Sequence, residues 1–256
     1  MEFNVFVGIV IAIAAILIGA PDMRQDIGVY LNMEAFVMVL GGTFASTLIS
    51  SSFSDFKNLS KALKATLFGK QLRPVDAVKK LVEISEEAQR GSKQDLVNRA
   101  EGVGDGYLKR SLQLVAAGLD KDFIDKALFT DISEVSKRHS KFINMARTMG
   151  SFAPMFGMAG TVIGVIQVLK NVTDIENIVS GMALALLTTL YGLFMTSILF
   201  IPLANKLKQN SQKEIIVKQI IREGILMIYD KEIPLKVEKY LMAFLKATEK
   251  ENDKSK

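Results

Sequence analysis

Residues 148–205, TMGSFAPMFGMAGTVIGVIQVLKNVTDIENIVSGMALALLTTLYGLFMTSILFIPLAN, decide the fold. The only charges in this stretch are Lys170, Asp174 and Glu176, which divide it into two uncharged runs, Thr148 to Leu169 and Asn177 to Asn205. A helix crosses a bilayer in about 20 apolar residues, and both runs meet that length. Working outward, Ala35 to Ser54 is a third such run. The uncharged interval between Glu2 and Asp22 is a fourth, enough for about 28 Å of helix. That N-terminal interval reads as a retained helix rather than a signal peptide. Glu2 stands where a signal carries Lys or Arg, and Pro21 directly after Gly19 and Ala20 is poor chemistry for cleavage. The expected fold is all-α: a polytopic membrane protein with four transmembrane helices and a helical cytoplasmic lobe.

Composition agrees with that division. A mean hydropathy of +0.26 alongside 23% charged residues requires the charge to be segregated from the apolar surface. Lys and Arg near the span ends set the orientation, because the cytoplasmic leaflet retains them. The short connections carry Asp22, Arg24, Asp26 and Glu34 in one case and Lys170, Asp174 and Glu176 in the other. By contrast Lys57, Lys61 and Lys64 follow the second run, Arg138, Lys141 and Arg147 precede the third, and Lys206, Lys208 and Lys213 follow the fourth. Both termini are therefore expected in the cytoplasm. The domains read as residues 1–54 (two spans), 55–147 (a cytoplasmic loop domain), 148–205 (two spans) and 206–256 (a cytoplasmic tail). The net charge of +5 belongs to this asymmetry and implies no nucleic-acid partner.

The loop and tail read as helices. Pro74 suits a first helical position, and Val75, Val78, Leu81, Val82 and Ser85 recur at helical spacing. Gly102, Gly104 and Gly106 form an interhelical turn rather than a phosphate loop, since no Gly-Lys-Ser/Thr follows. Leu108, Leu112, Val115 and Leu119 make the next stripe, ending near Gly118. From Asp122 the pattern Phe123, Ala127, Ile132, Val135, Phe142 predicts one long helix running into the third span. Past the fourth span the helix is expected to continue to Tyr229, with Pro234 ending or restarting it.

The inventory speaks against an enzyme. Without Cys there are no disulfides, thiolate sites or Cys nucleophiles, and His139 is the single histidine, expected to be a solvated helix residue beside Arg138 and Lys141. No cofactor or metal is expected. None of the four runs holds Asp, Glu, Lys, Arg or His, so the chain has no proton relay of its own. The third run carries a small-residue stripe, Ala153, Gly157, Gly160 and Gly164, and the fourth carries Gly181, Ala185, Thr188 and Gly192. Such stripes let helices pack closely. Thr161, Thr188 and Thr189, with Tyr191 nearby, either bond their own helices or line a path for a cation, which oxygen ligands suit. Pro154 and Pro202 free the carbonyls of Gly150 and Ile198, either in a fixed bend or at a coupling kink.

Phe152 to Leu169, FAPMFGMAGTVIGVIQVL, and Met182 to Leu207, MALALLTTLYGLFMTSILFIPLANKL, resemble the third and fourth membrane helices of MotA/PomA flagellar stator subunits. The four spans, the large loop and Gly41-Gly42-Thr43 agree with that family. The resemblance implies an ion-channel-forming stator subunit that couples H+ or Na+ flow to torque, leaving the ion undecided. It implies a homo-oligomer of five subunits in the bacterial inner membrane around a dimer of MotB or PomB, whose membrane Asp carries the ion. Thr161, Thr188 and Thr189 then match hydroxyls facing that Asp, and Pro154 and Pro202 match prolines linked to coupling. Arg90 matches the family's contact with the rotor protein FliG, although the family's Glu seven residues beyond is replaced by Asn98. A TolQ/ExbB-type envelope energiser and a non-conducting scaffold are the alternatives.

Overall fold

The computed structural model describes residues 3–20, 25–59, 72–90, 105–170 and 172–245. All regular structure among them is helical. Helix α1 spans Phe3–Gly19, α2 Met33–Ser50, α3 Pro74–Arg90, α4 Gly106–Ala116 and α5 Lys121–Lys170. Helix α6 spans Ile175–Phe194 and passes through a π-helical segment, Met195–Phe200, into α7, Ile201–Tyr229, which is followed by α8, Pro234–Leu241. Three stretches, Ile27–Ser50, Lys121–Lys170 and Ile175–Tyr229, are long and apolar enough to cross a membrane, and α1 is a shorter, uncharged apolar helix of 17 residues.

The chain divides into two compact units, one of Met1–Gly69 with Ser140–Lys208, the other of Lys70–His139 with Gln209–Lys256. In the first unit the small residues of α5 and α6 face one another, and α2 packs on α6 through Ala35, Leu184 and Leu187. Asn32 caps α2 by accepting from the Ala35 N–H at 2.8 Å, and Asp174 caps α6 through the N–H of Glu176 at 3.0 Å. The buried hydroxyls of Thr43 and Thr47 donate to Val39 and Thr43 carbonyls four residues back, so they cost the apolar interior no unpaired group. Below them Val39, Leu59, Phe142, Met145, Met149, Ala153 and Phe200 form an aliphatic and aromatic core. Along the membrane half of α5, Met155, Met158, Val162, Ile166 and Leu169 are apolar yet uncovered, as a helix in lipid or against other apolar helices requires.

The second unit is built as water-soluble helices are. Val78 and Leu81 of α3, Leu108 and Leu112 of α4, and Ile220, Ile221 and Ile225 of α7 are fully buried together with Leu241 of α8. Pro74 opens α3 as its position predicts, Gly118 takes a left-handed φ of 72° just past α4, and Pro234 restarts the chain as the first residue of α8. Gly102 and Gly104 lie outside the described residues; Gly106 opens α4, capped by Asp105. The single helix from Lys121 to Lys170 agrees with the sequence reading, and Ile132, Val135 and Phe142 of its expected stripe are buried, while the first two turns differ. Ile124 and Leu128 are buried where Phe123 and Ala127 were expected, and Phe123 is 55% exposed. Both registers have helical spacing, and the Ile124, Leu128, Ile132, Val135 series continues it without a gap. His139 is likewise not solvated: it is partly buried, with Nδ1 3.0 Å from the Ser211 hydroxyl and Nε2 3.9 Å from a Glu214 carboxylate oxygen. Burial lowers its pKa against the opposing pull of Glu214, with Arg138 and Lys218 adding to the lowering.

Candidate ion path and helix-coupling site

The seam between α5 and α6 is closed by backbone. A β-carbon built on Gly164 meets the Gly181 carbonyl oxygen and lies 2.8 Å from the Ala185 nitrogen. One on Gly157 lies 3.0 Å from the Thr188 carbonyl oxygen, and one on Gly192 lies 2.6 Å from that of Ala153. Gly181 is closed from the other side by Val168 at 2.7 Å. Of the stripe residues, Gly157, Gly164, Gly181 and Gly192 thus bring the two helices within main-chain contact, with Ala185 opposite Gly164 and the Thr188 side chain against Gly160. Of the adjacent glycines 41 and 42, Gly42 accepts the ring of Phe156 and Gly41 has nothing within 4 Å.

The hydroxyls divide into different environments. Thr188 is fully buried, its side chain seated in the notch of Gly160, and its hydroxyl donates to the Leu184 and Ala185 carbonyls at 2.9 and 3.0 Å. Thr189 is partly buried, and its hydroxyl reaches the carbonyls of Gly157 and Ala185, each at a long 3.4 Å. Thr161 donates to the Met158 carbonyl at 2.6 Å from the partly exposed side of α5. Tyr191, grouped with these on the sequence, is engaged elsewhere. Its hydroxyl donates to the Tyr30 carbonyl at 2.5 Å and accepts from the Asn32 N–H at 2.9 Å, pinning the entry of α2 to α6.

Both prolines sit at breaks in helix bonding. Pro154 lies inside α5 and cannot bond the Gly150 carbonyl. That carbonyl is taken instead by the hydroxyl of Thr196, at 2.8 Å, from the π-helical segment. Pro202 stands one residue beyond that segment, after Ile201, whose N–H reaches back five residues to the Thr196 carbonyl, the wide turn a π-helix uses. Sequence reasoning found the prolines and missed Thr196; the available signal was a hydroxyl residue six positions before a membrane proline. Arg90 is the last residue of α3, and Asn98 lies outside the described residues. No cluster of metal-ligating side chains occurs among the described residues.

Residues 99–220 match the MotA/TolQ/ExbB proton channel family. The chain is 32% identical to YtxD of Bacillus subtilis, covering 93% of this chain and 88% of that protein. It is 31% identical to Motility protein A of Borreliella burgdorferi, covering 96% and 94%. In fold it superposes on the solved structure of C. jejuni MotAB with a TM-score of 0.90 at 22% identity, over 96% of this chain and 97% of that one.

Proposed function

The chain belongs to the MotA/TolQ/ExbB proton channel family, and on that footing we propose that it is an ion-path-forming stator subunit of a bacterial flagellar motor. The observation that carries the mechanism is the absence of any Asp, Glu, Lys, Arg or His from Thr148 to Leu169 and from Asn177 to Asn205. A path for H+ or Na+ through these spans needs a carboxylate from another chain. Likeness in fold to MotAB supports a MotB- or PomB-type subunit as its source. Five copies of this chain form a ring around a dimer of that partner in the inner membrane, with both termini in the cytoplasm. Thr161 and Thr189 offer oxygen ligands toward the carboxylate, while Thr188 holds the seam that sets their spacing. Ion passage loads and discharges the carboxylate, and the ring turns by movement at the Pro154 and Pro202 breaks. A potential of 100 mV supplies about 2.3 kcal/mol per charge, so each step is small or draws on several ions.

Arg90 at the end of α3 is the proposed contact with FliG. Deleting the gene should abolish swimming and re-expression should restore it, while Arg90→Glu should reduce torque at unchanged membrane level. Normal swimming after deletion overturns the stator assignment; normal torque in the Arg90→Glu strain overturns the rotor contact alone. A sodium series with a protonophore control identifies the ion. Sodium-independent swimming that the protonophore abolishes excludes sodium.

A further inference from the structure

We infer that Thr196 is a latch that ties the two proline breaks together, a positioning residue for the ion-driven movement; the inference rests on the stator reading. Three observations converge on it. Pro154 leaves the Gly150 carbonyl without its helical donor, at a residue that is itself buried. An unpaired carbonyl in that setting is costly, and the group that relieves it is the Thr196 hydroxyl, 46 positions along the chain at 2.8 Å. Thr196 in turn sits in the π-helical segment Met195–Phe200, which ends two positions before Pro202. One hydrogen bond therefore joins the kink of one membrane helix to the break in the other.

Helical spacing offers the same hydroxyl a second acceptor. A helical threonine commonly bonds the carbonyl four residues back, and its side chain divides between two rotamers for that reason. For Thr196 that carbonyl belongs to Gly192, on its own helix. Thr43, Thr47 and Thr188 all make such a bond, whereas Thr196 donates across to α5. Rotation of one side chain exchanges an interhelical bond for an intrahelical one with a donor satisfied at both ends of the motion. This is a two-position element of the kind that a change at the partner carboxylate can bias. Release at Gly150 frees α5 to bend at Pro154, while the wide turn before Pro202 absorbs the matching shift.

The test is swimming in a strain deleted for the gene and supplied with the wild-type chain, Thr196→Val or Thr196→Ser, each checked for membrane level. Valine keeps the shape and removes the donor; serine keeps the donor. A hydrogen bond of this kind shifts an equilibrium about fivefold. Thr196→Val should therefore slow swimming several-fold, and Thr196→Ser should restore it. Pro154→Ala supplies the missing N–H to Gly150, so in that background Thr196→Val should have no further effect. Wild-type swimming by Thr196→Val, or an undiminished effect in the Pro154→Ala background, overturns the latch. Should the deletion strain swim normally, the stator reading has failed, and should Pro154→Ala by itself stop swimming, the motility cycle is closed. In both cases the unfolding midpoint of the full-length chain in detergent decides the bond. A loss on Thr196→Val confined to the Pro154 background supports it, and equal losses in both backgrounds overturn it.

Discussion

Replacing Gly164 by alanine adds a single methyl group where the seam has no room for one. The new β-carbon meets the Gly181 carbonyl oxygen and the Ala185 nitrogen, and both are backbone, so neither can rotate away. Ordinary contact begins near 3.4 Å, the nitrogen stands at 2.8 Å and the Gly181 oxygen is nearer still, so α5 and α6 must separate by at least about 0.6 Å. A gap of that size forfeits about a quarter to a half of the attraction at each atom pair it opens. Overpacking of this kind costs about 1–3 kcal/mol, a factor of roughly 5 to 150 in the unfolding equilibrium. The assay is helical circular dichroism of the chain in mixed micelles, titrated with SDS, with Gly41→Ala as the matched control because nothing lies within 4 Å of its added carbon. Gly164→Ala should unfold at lower SDS and Gly41→Ala should not. Equal midpoints for the two variants would refute the claim that main-chain contact holds the seam.

Three further outcomes follow from the same geometry. Tyr191→Phe leaves the Tyr30 carbonyl and the Asn32 N–H without their partner and should lower stability by about 1–3 kcal/mol in the same titration. Gly224→Ala should cost about 1 kcal/mol, less than Gly164→Ala, because its added carbon meets flexible leucine ends, Leu81 at 2.7 Å and Leu241 at 3.2 Å. His139 contributes a pH dependence whose sign is fixed by burial. Its folded-state pKa lies below 6.5, so the unfolded chain takes up a proton first as pH falls, and stability declines from pH 6.5 down to the folded value, then levels. His139→Asn should flatten that decline in pH-dependent unfolding of the full chain.

Much of the fold was legible because lipid imposes a simple code. Uncharged runs marked α2 and the membrane parts of α5, α6 and α7, and the lack of Gly or Pro from Asp122 to Arg147 announced the long α5. The small-residue stripes named the seam positions that the structure closes, since only residues without bulk permit that approach. Side-chain partnership was harder to read. Four hydroxyl groups of similar appearance, on Thr161, Thr188, Thr189 and Tyr191, face different surroundings because a rotation of 100° per residue separates neighbours on a helix. His139 looked solvated from its charged sequence neighbours, but Ser211 and Glu214, which surround it, lie some seventy positions away. Thr196 was hidden for the same reason, since its acceptor belongs to another helix.

On the proposed stator reading this chain supplies a path and a hinge but no ion-carrying group in the membrane. The most direct measurement is swimming in a host lacking its own stator genes. The host receives this chain with a one-span partner bearing a membrane Asp, this chain with the Asp→Asn partner, or this chain alone. Swimming with the first combination and neither of the others is the predicted result. Swimming driven by this chain alone, or with the Asp→Asn partner, would contradict it.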